Sequence, residues 1–142
     1  MITCLELKKI AQTRLNEAKC LYKAGFYDGA VYLAGYVVEI SLKALLCKHL
    51  KMDGIPDNNE KHKEVFCTHD FDRLLILSGL TKKINANNKR NNKLFVNWSI
   101  VTGWNPSNRY TVSGVSQGEA KLFLKALDDK NYGIFVYIKK IW

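Results

Sequence analysis

Tyr32, Tyr36, Glu39 and Lys43 recur at i, i+4, i+7 and i+11. On a helix they share one face that carries two phenols, a carboxylate and an amine. Two readings stay open for that face. One is an internal network in which Glu39 pairs with Lys43 or with an arginine from another helix, the usual way a buried charge is accommodated. The other is a ligand pocket or a dimer seam, because ionisable groups gathered in an apolar setting mark both. Arg109, beside Tyr110, is the best external partner for Glu39. Its guanidinium is equally suited to a two-pronged grip on phosphate.

Two further clusters carry chemistry. In Cys67-Thr68-His69-Asp70 the imidazole has the form of a general base beside an orienting carboxylate, with a thiol as nucleophile. Helix capping accounts for Thr68 and Asp70 without any reaction, Thr68 being the expected cap. Lys82, Lys83, Lys89, Arg90 and Lys93 form a basic run with no acidic residue. It reads either as a solvated face or as a track for a phosphate backbone, whose binding would weaken steeply with salt. No aromatic residue is interleaved there to stack on bases. Cys47/His49 and Cys67/His69 do not make a zinc site, because residues two apart on a helix face different ways and the spacing is unlike zinc modules. No metal or cofactor is expected.

The elements that must position these groups follow from apolar spacing. Leu7, Ile10, Ala11, Leu15, Ala18 and Leu21 recur at helical steps, and Gly25 supplies a stop. Asp28 is placed to cap a second helix from Gly29 to about Leu50, apolar on nearly all sides and therefore central. Ala30, Ala34 and Gly35 allow close approach along it. A short turn between the two predicts an antiparallel pair. Residues 51–64 read as a loop. A third helix follows from Phe71 with Leu74, Leu75 and Leu77 inward and Gly79 as its stop, and another through Leu94, Phe95, Trp98, Ile100 and Val101. Trp98 and Trp104 read as core or interface anchors. Gly103 to Asn108 is turn chemistry and Arg109 to Val112 extended. Ser116-Gln117-Gly118-Glu119 has the form of a capping box opening a last long helix. After a break at 131–133, residues 134–142 are again helical.

The whole predicts an all-α, compact up-and-down bundle of about five helices in a single domain over 1–142. A chain of 142 residues, 47% hydrophobic, buries one core without disulfides or metal. Glu6, Lys8 and Lys9 interrupt any signal peptide, and Glu39, Ser41 and Lys43 interrupt the Gly29–Cys47 run, so a cytoplasmic protein without a membrane span is expected. The four cysteines contain no CxxC pair and read as free, mostly buried thiols. A net charge of +9 attracts polyanions and admits nucleic acid as a partner.

Tyr27 to Ala44, with Ala18-x-x-Leu21-Tyr22-x-Ala24-Gly25 upstream and Thr68-His69-Asp70-Phe71-x-x-Leu74 downstream, resembles the HEPN superfamily, the "higher eukaryotes and prokaryotes nucleotide-binding" bundle. Trp98, Trp104 and Arg109-Tyr110 before a long helix complete the pattern. The resemblance implies a helical bundle, often dimeric, tied to nucleotide or RNA transactions. It also implies pairing with a small nucleotidyltransferase in toxin-antitoxin or defence systems. Ribonuclease members carry an Arg followed four to six residues later by His. None of His49, His62 or His69 has an Arg at that distance before it, so a non-catalytic module is expected. The alternatives are an atypical ribonuclease or nucleotide-processing enzyme drawing on Asp28, Glu39, His69 and Arg109, and a protein–protein adaptor.

Overall fold

The computed structural model describes residues 1–56, 60–85, 92–111 and 114–142. Helix α1 spans Cys4–Lys23 and begins at a reciprocal cap. The Glu6 amide donates to the Thr3 hydroxyl while the Thr3 amide donates to the Glu6 carboxylate. Leu7, Ala11, Leu15 and Ala18 form its buried stripe. Gly25, at φ +86°, turns the chain where a side chain would be strained, and α2 runs Tyr27–His49. Cys4 and Leu7 at the start of α1 pack with Ala44, Leu46 and Cys47 at the end of α2. Leu21 meets Gly29 at the other end, so the hairpin is antiparallel as expected.

A two-residue bridge ties the N-terminus to the segment after α2: β1 (Ile2–Thr3) pairs antiparallel with β2 (Gly54–Ile55), Ile2 opposite Ile55. Then follow α3 (Glu60–Phe66), α4 (Phe71–Leu77), α5 (Thr81–Asn85), α6 (Lys93–Val101), a 3-10 turn (Pro106–Tyr110), α7 (Gln117–Asp128) and α8 (Ile134–Lys139). The α7 capping box forms between Ser116 and Glu119.

Helix α2 is the hub. It buries residues on every side, from Ala30 through Val37, Val38 and Leu42 to Leu46, and packs against α1, α4, α7, α8 and the 3-10 turn. Each fully buried Leu or Val on it contributes roughly 1.5–3 kcal/mol. It is long and apolar enough to cross a membrane, and most of its apolar stretch lies inside the bundle. The fold is all-α. Among the described residues the expected five or so helices are instead eight segments, because turn residues such as Gly79 and Gly133 cut the second half into short pieces.

Several local expectations are corrected. Asp28 is not the cap of α2, whose N-cap is Phe26 with no side-chain bond. Its carboxylate instead accepts the amides of Gly114 and Val115 at 3.1 and 3.2 Å, fastening the approach to α7. Asp70, not Thr68, caps α4, accepting the Arg73 amide at 3.0 Å. Residues 51–64 are not wholly loop, since they hold β2 and the start of α3. Arg109 and Tyr110 sit on the 3-10 turn, not in extended chain. Leu77 is exposed. Of the cysteines only Cys47 is buried; Cys4 is half-buried and Cys20 and Cys67 are exposed.

Candidate functional site

Glu39 and Lys43, one turn apart on α2, are both buried, with side chains 5% and 10% exposed. The Lys43 ammonium donates to Oε1 of Glu39 at 2.7 Å. The other oxygen, Oε2, is 2.7 Å from Nδ1 of His69, which lies just before α4. Arg109 is therefore not the partner of Glu39. A carboxylate only accepts, so Nδ1 carries the proton that faces Glu39. His69 is about half exposed, so a buried carboxylate fixes the tautomer of a ring that solvent reaches.

One turn earlier α2 carries the phenols. The Tyr32 and Tyr36 hydroxyls are 3.1 Å apart, and hydrogen bonding to Tyr32, with burial, pushes the Tyr36 phenol up to about 12. The Tyr36 ring meets His69 edge-on at 6.5 Å and Trp104 at 5.2 Å. Trp104 ties α4 to α2. It stacks on Phe71 at 5.1 Å, donates its indole N–H to the Tyr32 carbonyl at 3.2 Å, and fills the space over Gly35. A Cβ at Gly35 would stand 2.1 Å from the indole. The small residue read as admitting a neighbouring backbone admits this ring instead.

Arg109 is exposed at the end of the 3-10 turn, its guanidinium 4.8 Å from the centre of the Tyr110 ring. Hydrogen bonding to Tyr110, then to Tyr32, pushes its pKa further up. Tyr110 is 77% exposed. Between α4 and the 3-10 turn lies an open cleft of about 290 Å³ lined by His69, Asp72, Trp104, Asn105 and Pro106 among others. The arrangement offers an imidazole with a fixed tautomer, a guanidinium for an anion and exposed π-faces.

The structure thus unites Tyr32, Tyr36, Glu39 and Lys43 with His69, and brings Arg109, against which Tyr110 packs, to Tyr32. It removes Asp28 and Asp70 to structural duties. Lys82 and Lys83 lie exposed on α5, and Lys93 opens α6 with its ammonium 5.3 Å from the Tyr132 ring centre; Lys89 and Arg90 lie outside the described residues. Among the described residues no group of three or more His, Cys, Asp and Glu gathers to hold a metal. The sequence places Glu39 and His69 in one candidate site but points to Lys43 or Arg109 as the partner of Glu39; their direct pairing, across 30 positions, is not signalled by spacing.

Residues 5–56 match the family model of the HEPN domain. The matched stretch takes in most of α1, all of α2 and β2. No curated protein and no solved structure matches the chain. The HEPN match takes in Tyr32, Tyr36, Glu39 and Lys43 and ends before His69, Trp104 and Arg109, which complete the site from the second half of the chain.

Proposed function

We propose that this chain is a nucleotide- or RNA-associated HEPN module that binds without cleaving, acting in the cytoplasm as a homodimer, over 1–142 as one domain. The observation that carries the reading is the pairing of both Glu39 oxygens within the chain, to Lys43 and His69, beside an Arg109–Tyr110 surface free to meet an anion and a base. A guanidinium grips phosphate and an exposed phenol offers a stacking face. A place in a toxin-antitoxin or defence pair, with a nucleotidyltransferase-like protein as partner, is part of the proposal. The test is purified protein against labelled RNA and a thermal-shift series of nucleotides. Intact RNA, with a nucleotide-dependent rise in melting temperature lost in Arg109→Ala, is expected. RNA cleavage abolished by His69→Ala would refute it.

One observation favours a second reading, an atypical acid–base enzyme. The Glu39–His69 pair at the edge of a cleft has the geometry that orients a general base. Turnover of RNA or a nucleotide with a pH-dependent rate, reduced at least 100-fold in both Glu39→Gln and His69→Gln, would establish it.

A further inference from the structure

The start of α1 and the end of α2 meet in a sulfur pair that takes no part in the Glu39–His69 site. Cys4 opens α1 and Cys47 lies in the last turn of α2. Both pack with Leu7, Ala44, Leu46 and Phe66 in a small cluster apart from the main core. One short turn anchors the two. The Cys4 amide donates to the Asp53 carbonyl at 2.8 Å and its thiol to the Met52 carbonyl at 3.2 Å, while the Met52 amide donates to the Cys47 carbonyl at 2.9 Å. The pairing of Thr3 with Gly54 in the β1–β2 bridge closes the same junction from the other side. Burial pushes the Cys47 thiol up to about 12, and its hydrogen bond with the Cys4 thiol adds to the rise, so the two sulfurs are in contact. A disulfide forms only where two backbones already hold the thiols face to face, and here the shared turn does so.

Exposure divides the work between them. Cys4 is half-buried and Cys47 fully enclosed, so a small oxidant reaches Cys4 first while Cys47 is shielded from reacting alone. We propose that Cys4 and Cys47 form an oxidation site at which a peroxide closes a reversible disulfide, stapling the start of α1 to the end of α2. The Cys4 sulfur attacks the peroxide, becomes a sulfenic acid and releases one water. The Cys47 sulfur then attacks the Cys4 sulfur; the S–S bond forms as the S–O bond breaks, and the hydroxide leaves with the Cys47 proton as a second water. Two electrons pass from the thiols to the peroxide, and a thiol reductant returns them. The staple spans the ends of the α1–α2 hairpin and constrains the unfolded chain, so the oxidised protein is the more stable form.

The test uses the full chain carrying Cys20→Ser and Cys67→Ser, both exposed positions, so that only the pair remains. The folded protein is treated with hydrogen peroxide and digested with trypsin without reduction. Peptides 1–8 and 44–48 should appear joined in monomeric protein, and separate again after dithiothreitol. The oxidised protein should melt roughly 5–10 °C above the reduced one. Adding Cys47→Ala should leave Cys4 as a sulfenic acid that dimedone traps, and adding Cys4→Ser should leave Cys47 untouched by peroxide; circular dichroism checks that each is folded, and either one suffices if the other is not. Peroxide that leaves both thiols free overturns the inference. So does a Cys4 carried on to sulfinic acid without a link, a link found only between molecules or only in urea, or an oxidised protein that melts below the reduced one.

Discussion

Replacing Gly35 with alanine sets two effects of opposite sign against each other. Gly35 lies inside α2, where helix propensity favours alanine by about 1 kcal/mol. The added Cβ would stand 2.1 Å from two atoms of the Trp104 indole and 2.3 Å from a third, well inside van der Waals contact. The ring cannot yield cheaply. It is buried, stacked on Phe71 and tied to the Tyr32 carbonyl. Overpacking of this kind costs about 1–3 kcal/mol, and losing the indole hydrogen bond roughly 0.5–1.5 more. After the propensity gain, a net loss of about 2 kcal/mol is expected. For a chain of this size that lowers the melting temperature by about 4–8 °C. Urea and thermal unfolding followed by far-ultraviolet circular dichroism give both numbers. Gly118→Ala in the first turn of α7, where the nearest atom is the Ser116 hydroxyl at 3.9 Å, is the control and should be neutral or stabilising. A Gly35→Ala protein as stable as wild type would refute the claim that Trp104 is clamped onto α2.

Other outcomes follow from the same contacts. Glu39→Ala leaves the Lys43 ammonium buried without its carboxylate and should cost about 3–5 kcal/mol in urea unfolding, whereas Glu39→Leu combined with Lys43→Leu should recover much of that. Ser116→Ala removes half of the α7 capping box and should cost about 1 kcal/mol. The bonds from Ser116 hold the Glu119 carboxyl below its ordinary 4.5, so the unfolded chain takes up that proton first as pH falls. The Glu119 carboxylate's contribution to the box is complete above about pH 4.5 and is lost as pH falls through the lowered value, so urea midpoints for Glu119→Gln and wild type should converge at acid pH. Burial pushes the Cys47 thiol up to about 12, while Cys20 and Cys67 are exposed. A disulfide reagent should label those two rapidly and Cys47 only on unfolding, and rapid labelling of Cys47 in the native protein would contradict its place in the core.

What the sequence determined by itself is whatever is settled within a few turns of chain. The stripe from Leu7 to Ala18, the stop at Gly25, the all-round apolar α2 and the Ser116–Glu119 box are local patterns of spacing and hydrogen-bond chemistry, and each forms where it was read. The shared face of Tyr32, Tyr36, Glu39 and Lys43 belongs to this class, because helical geometry alone aligns it. The tertiary structure decided which groups meet that face. Several donors in the chain can satisfy a buried carboxylate, and spacing does not choose between Arg109 and His69; the docking of α4 on α2 does, by carrying His69 to Glu39. In the same way Trp104, and not a neighbouring backbone, claimed the gap at Gly35, and Asp28 gave up a cap for the amides of Gly114 and Val115. Contacts made across 30 to 87 positions depend on how whole helices pack. That packing is set by the summed burial of many side chains rather than by the residues that finally touch.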